Sequence, residues 1–198
     1  MKSLILGTIV GGVIVFIWSF ISWSILPWHM NTIRDFENRE KVRTMIRQSA
    51  PEAGIYVMPL RDPDGSEEHM KVNNERMTTG PFVFAAINPN GVDPSMGKRM
   101  GKSIVNYVLA ALCLTWLLQH SASNTYVMRL RFITIAVIAG ALICHVPYWS
   151  CWGFPLDYTM VMVGDTVVGW MIAGLVLSRI IKPLKSGAPE PKAEAAEA

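Results

Sequence analysis

Charge is what this sequence has least of. Asp, Glu, Lys and Arg make up 17% of its 198 residues, where a soluble domain carries about 25%. The shortage is uneven: charge gathers between Arg34 and Lys102 and near the C-terminus, while long blocks elsewhere have almost none. Such segregation separates a lipid environment from an aqueous one. Cysteine is also sparse. Cys113, Cys144 and Cys151 are too few and too scattered for a disulfide framework, and the first two lie in apolar runs where a thiol behaves as a small hydrophobe. The net charge of +3 comes with no dense basic stripe, which argues against nucleic acid as a partner. Also missing are a phosphate-binding glycine loop, a Ser-His-Asp pattern and ligand spacings such as His-x-x-x-His or Cys-x-x-Cys.

What the chain has instead is four apolar runs. They predict an α-helical polytopic membrane protein: four transmembrane helices with a small α+β extramembrane domain between the first and second. The first helix, 4–28, contains LILGTIVGGVIVFIWSFISWSIL without a charge. At about 1.5 Å per residue it exceeds the roughly 30 Å hydrocarbon core. It is longer than a signal-peptide apolar region, no small-x-small site follows, and it ends in Pro27-Trp28-His29, so it reads as an uncleaved anchor. Further spans are expected at 103–120, 130–149 and 158–181, the second and third forming an antiparallel hairpin through SASNTY. Small residues recur at helical spacing. Ser3, Gly7 and Gly11 share one face of the first span, and Gly164, Gly169 and Gly174 mark the fourth. In lipid such positions let backbones approach closely, either within the bundle or against another subunit.

Lys2, the Arg129/Arg131 pair (which can snorkel) and the Arg179, Lys182 and Lys185 group all fall on one side of a four-span chain. The positive-inside tendency then puts both termini in the cytoplasm. CHVPYWSCWGFPLDYT, residues 144–159, has no Lys or Arg and becomes a short outer connection whose aromatic rings lie at headgroup level. Lys98, Arg99 and Lys102 resist this orientation, and the inverted topology is its alternative.

The segment 29–102 is expected outside the membrane. MNTIRDFENREKVRTMIRQSA reads as one helix, with Thr32 as cap and acid-then-base pairs Asp35/Arg39 and Glu37/Lys41 four apart. GIYVMP and GPFVFAAIN read as strands. Between them lies a polar, exposed connection that opens on Pro63-Asp64-Gly65. Asp93-Pro94 resembles a helix start, so the second span can begin early. A domain this small has little core and is expected to lean on the membrane, another copy or a partner, with a self-contained α+β cap as the alternative. The tail, 183–198, is Ala-, Pro-, Glu- and Lys-rich and reads as a disordered cytoplasmic tail.

Few residues suggest chemistry. Asp165 lies about two turns into the fourth span, where an acid is costly unless paired, hydrated or neutral. His145, Asn106 or another protein could pair with it, and capping by Thr166 or hydration is the plainer reading. His29 and His145 both fall near the outer interface, with Met30, Cys144 and Cys151 close in sequence. Imidazole with thiolate or thioether would suit a metal ion or haem iron, against ordinary interfacial hydrogen bonding. No cofactor is otherwise indicated.

FIWSFISWSILPWH, GIYVMP, GPFVFA and YWSCWGFPLDYT together resemble a group of uncharacterised bacterial inner-membrane proteins built as one helix, an outer segment and three helices. The resemblance covers most of the chain except the tail and implies a bacterial inner (cytoplasmic) membrane location. It implies no activity, cofactor or catalytic residue. The expected function is therefore a non-catalytic accessory, scaffold or assembly subunit of a larger inner-membrane complex, touching lipid and other subunits or further copies of itself. The alternatives are a metal- or haem-dependent redox protein using His29 and His145, or a proton- or ion-coupled transport component using Asp165.

Overall fold

The computed structural model describes residues 1–60 and 65–182. The Pro63-Asp64 turn signal and the tail at 183–198 lie outside the described residues. In chain order the elements are α1 (Lys2–Ser24), α2 (Trp28–Thr32), α3 (Arg39–Ser49), β1 (Gly54–Met58), α4 (Glu67–Thr79), β2 (Val83–Ile87), α5 (Met96–His120), α6 (Tyr126–Trp152) and α7 (Leu156–Ile180). Four of these, α1, α5, α6 and α7, are long and apolar enough to cross a membrane.

The long helices pack in the spatial order α5, α1, α7, α6, while α5 and α6 touch little despite their short connection. Val15, Leu114, Leu118, Ile133, Val137, Ala173, Leu177 and Ile181 form the buried core. On α1 the opposite surface, including Ile5, Leu6, Ile9, Val13, Ile17 and Phe20, is exposed, the apolar exterior that a bilayer covers.

Small residues decide how closely α1 approaches its neighbours. A Cβ at Gly7 would lie 2.6 Å from the Thr115 side chain, and one at Gly12 would lie 2.9 Å from the Val108 backbone. Gly11 faces Ala111 and Leu177, and Gly174 accommodates Ile133. Ser3 accepts a hydrogen bond from Gln119 Nε2 at 2.7 Å, and Tyr107 donates to Ser19 Oγ at 2.8 Å. The first-span stripe therefore faces α5 and α7 within the bundle. Gly164 differs: nothing lies within 4 Å of a Cβ built there.

At the end where the α5–α6 loop meets the C-terminus of α7, Arg129 turns inward and is 7% exposed. Its Nε donates to the Ser178 carbonyl at 2.8 Å and its Nη1 to the Ser123 and Asn124 carbonyls. A guanidinium placed on the last turn of a helix satisfies free carbonyls and complements the helix dipole. This is a capping role rather than the snorkelling expected from sequence.

At the opposite end α6 runs through Pro147 to Trp152, so most of the expected 144–159 connection is helix. Proline removes one intrahelical hydrogen bond, a loss that packed helices in lipid tolerate. The stop is Gly153, left-handed at φ 67°, after which the Phe154 amide donates back to the Tyr148 carbonyl at 3.1 Å. Only Gly153–Pro155 separate the two helices.

Outside the long helices, the single helix expected over 30–50 is split. Thr32 Oγ1 donates backward to the His29 carbonyl at 2.8 Å, closing α2 instead of opening a new helix. Asn38 takes over as cap and accepts from the Lys41 amide at 2.9 Å. The strands form an antiparallel pair in register from Gly54↔Ile87 to Met58↔Val83. The connection expected between them is largely helix α4, capped by Ser66 and opened by Glu67 and Glu68. Neither α3 nor α4 buries a residue.

Candidate functional site around Asp165

Asp165 stands on α7 facing α1 and α2, and its carboxylate is not free. Trp18 Nε1 donates to Oδ1 at 2.7 Å, and the Ser22 hydroxyl donates to the same oxygen at 2.6 Å. His29 Nε2 lies 3.6 Å from Oδ2. The backbone arrangement makes this possible in two ways. Trp18 and Ser22 are four apart on one face of α1, one turn above Val15 in the buried core. Gly169, one turn along α7 from Asp165, leaves room for the Trp18 ring: a Cβ there would lie 2.5 Å from it. The turn after α1 then folds α2 back so that His29 is 1% exposed.

The hydrogen-bond inventory assigns the protons. A serine hydroxyl has one proton to give and two lone pairs. Ser22 gives its proton to Asp165 and accepts from Trp28 Nε1 at 3.0 Å. Its 3.0 Å contact with His29 Nε2 must then be a donation from the ring, so the neutral imidazole carries its proton on Nε2. His29 Nδ1 is left as a bare acceptor, buried and without a hydrogen-bond partner. The ring is clamped between aromatics: Trp23 stacks on it at 3.8 Å between centroids and 9° between planes, and Trp28 meets it edge-on at 5.5 Å. Burial of the imidazole pushes its pKa below the ordinary histidine value, against the opposing pull of the Asp165 charge.

Serine, histidine and aspartate thus come together after all, but not as a nucleophilic triad. Activation needs the imidazole to accept the hydroxyl proton while the carboxylate holds its other nitrogen. Here the carboxylate takes the serine proton, the imidazole donates to the serine, and its other nitrogen has no partner. Ser22 is also fully buried, at 0% exposure. The set is built to hold α1, α2 and α7 together.

His145 is placed differently. Thr166 Oγ1 donates to the Met162 carbonyl at 2.9 Å, so its 3.1 Å contact with His145 Nε2 is accepted from the ring. Both candidate metal-ligating histidines therefore spend Nε2 on a hydroxyl, on opposite sides of the Asp165–Thr166 pair. Met30, Cys144 and Cys151 are exposed. Among the described residues no group of three or more His, Cys, Asp or Glu side chains is placed to hold a metal. Asn106 makes no hydrogen bond to Asp165; the acid's partners come from α1 and α2. Sequence alone assigns no role to Trp18 or Ser22, and Trp28 enters only in the helix stop Pro27-Trp28-His29. The signal was present: the Gly7–Gly11–Val15 stripe, continued at helical spacing, reaches Trp18 and Ser22.

A second aromatic cluster forms where β2 meets the α6–α7 connection. Phe84 packs against Trp152 at 4.8 Å, Phe154 at 5.7 Å and Tyr148 at 6.3 Å between ring centroids. Those aromatics therefore seat the hairpin as well as lying at the mouth of the bundle.

Comparison with known proteins returns no matching family model, no similar curated protein and no similar solved structure. The function is read from geometry alone.

Proposed function

We propose that the chain is a non-catalytic accessory, scaffold or assembly subunit of a larger bacterial inner-membrane complex, with both termini in the cytoplasm. The observation that carries this reading is the extramembrane segment, which has almost no interior. Neither of its helices of more than ten residues, α3 and α4, buries a side chain. Ile33, Phe36, Met45, Ile55, Met58 and Val92 are all exposed. Among the described residues the sheet has two strands only, with no further strand on either outer edge, and open edges recruit other chains. A pair of strands is marginal in water on its own. Such a segment gains its stability from whatever it is pressed against.

The Asp165 cluster supports the same reading from inside the bundle. Its carboxylate and hydroxyl are engaged with each other, with Trp18 and with His29 Nε2, and only His29 Nδ1 is left without a partner. Native-condition mass measurement after mild extraction from the protein's own membranes tests the proposal. A stoichiometric partner or further copies are expected. A monomer that is folded and fully functional in its cell of origin without any partner would overturn it.

A further inference from the structure

The face of α3 that looks toward the turn after β2 forms a groove of about 530 Å³ whose charge is all of one sign. Arg39, Arg43 and Arg47 run along it one helical turn apart. Half-buried Val42 and Ile46 lie beside them, and the turn Asn88–Gly91 makes the opposite wall. No acidic side chain lines it. We propose that this groove binds an extended acidic segment of a partner polypeptide, with carboxylates at alternate positions facing the three arginines. The proposal rests on the reading of this chain as a partner-bound subunit and names the partner's chemistry.

Spacing and charge argue for that occupant. Four residues of helix advance about 6 Å, and two residues of extended strand advance about 6.6–6.8 Å. Alternate side chains of an extended peptide therefore keep step with arginines four apart. Each guanidinium offers a planar fork that fits a carboxylate, while the Asn88 and Asn90 amides supply donors and acceptors for a peptide backbone. Arg47 has no carboxylate partner among the described residues. Arg39 pairs with Asp35 and Arg43 with Glu40 at 3.6 Å, all of them well exposed, and exposed pairs of this kind contribute little and exchange readily.

Two other occupants fit less well. The chain's own tail carries Glu190, Glu194 and Glu197, but three of the four spans separate it from α3, which puts it across the membrane. An anionic bilayer surface is flat and meets an open amphipathic face. Lys41 lies across Met45 and Val42 from the arginines, so charge placement alone does not separate the two occupants; the second wall at Asn88–Gly91, which rises opposite the arginines and makes the site a groove, does.

The test uses the full-length protein in nanodiscs of zwitterionic lipid and a fluorescein-labelled peptide of alternating Glu and Thr, read by anisotropy. The same peptide with Gln for Glu is the control. Binding is expected for the Glu peptide only, weakening as salt rises. The exposed double substitution Arg43→Gln with Arg47→Gln should reduce affinity at least tenfold, while Arg34→Gln leaves it unchanged. No binding, or binding indifferent to the double substitution, overturns the proposal. So does an absence of peptide binding together with arginine-dependent retention on anionic vesicles, which would assign the face to a lipid surface. If partners are found by native mass measurement and the peptide still fails to bind, this inference falls while the subunit reading stands. If the peptide binds and the protein proves solitary in its membranes, the subunit reading falls and the groove remains.

Discussion

At the scale of single residues, Asp165 and His29 set how α1, α2 and α7 hold together. Replacing Asp165 with Ala strands the Ser22 hydroxyl in a site with little access to water and takes from Trp18 Nε1 the nearer of its two acceptors, leaving it the backbone carbonyl of residue 165 at 3.2 Å. A stranded donor costs about 1–3 kcal/mol, so the thermal midpoint in detergent should fall by a few degrees. Asp165→Asn keeps an acceptor oxygen and should cost less. Measured stability equal to the wild type for the Ala variant would show that the cluster holds nothing together. His29 makes the cluster pH-sensitive. Its pKa in the folded chain lies below the ordinary value of about 6.5, so in that window the unfolded chain binds more protons than the folded one. Its contribution is complete above about pH 6.5 and is lost as pH falls toward the folded pKa. A proton added to Nδ1 would be a buried donor with no acceptor. The midpoint should therefore drop between pH 7.5 and 5.5, and His29→Gln, which retains a donor to Ser22, should drop less over the same range. Asp165 was conspicuous in the sequence because it is an acid inside an apolar run. Its partners were not, because Trp18 and Ser22 carry no charge and sit 143 or more positions away.

At the scale of elements, the glycines separate into those the fold consumes and those it leaves open. Gly12→Ala puts a methyl against the Val108 backbone, which cannot swing aside, and overpacking of this kind costs about 1–3 kcal/mol. Gly140→Ala meets nothing within 4 Å and removes a helix-interior glycine, which is worth up to about 1 kcal/mol in the favourable direction. Comparing the two midpoints checks the helix order, since equal effects would contradict the close α1–α5 approach. The four apolar runs and both strands were legible because length, hydrophobicity and β-forming composition mark them strongly. Helix α4 was not, because it is polar all round and presents no period to read. The extension of α6 through Pro147 was hidden by a proline that ordinarily signals a stop. The break between α2 and α3 turned on which of two capping side chains, Thr32 or Asn38, faces forward, and composition does not decide that.

At the scale of the whole molecule, a bundle tied by internal polar contacts carries a segment with almost nothing buried. The hairpin is seated on the bundle through Phe84, but α3 and α4 bury no side chain, and the proposed function has them gain their stability from a partner. Hydrogen exchange along residues 39–79 tests this most directly, measured on the purified protein in detergent and again in its own membranes. Fast exchange in the isolated chain and strong protection in native membranes is the predicted result. Equal, strong protection in both would mean that the segment is self-sufficient, and the proposal of a partner-dependent subunit would be contradicted.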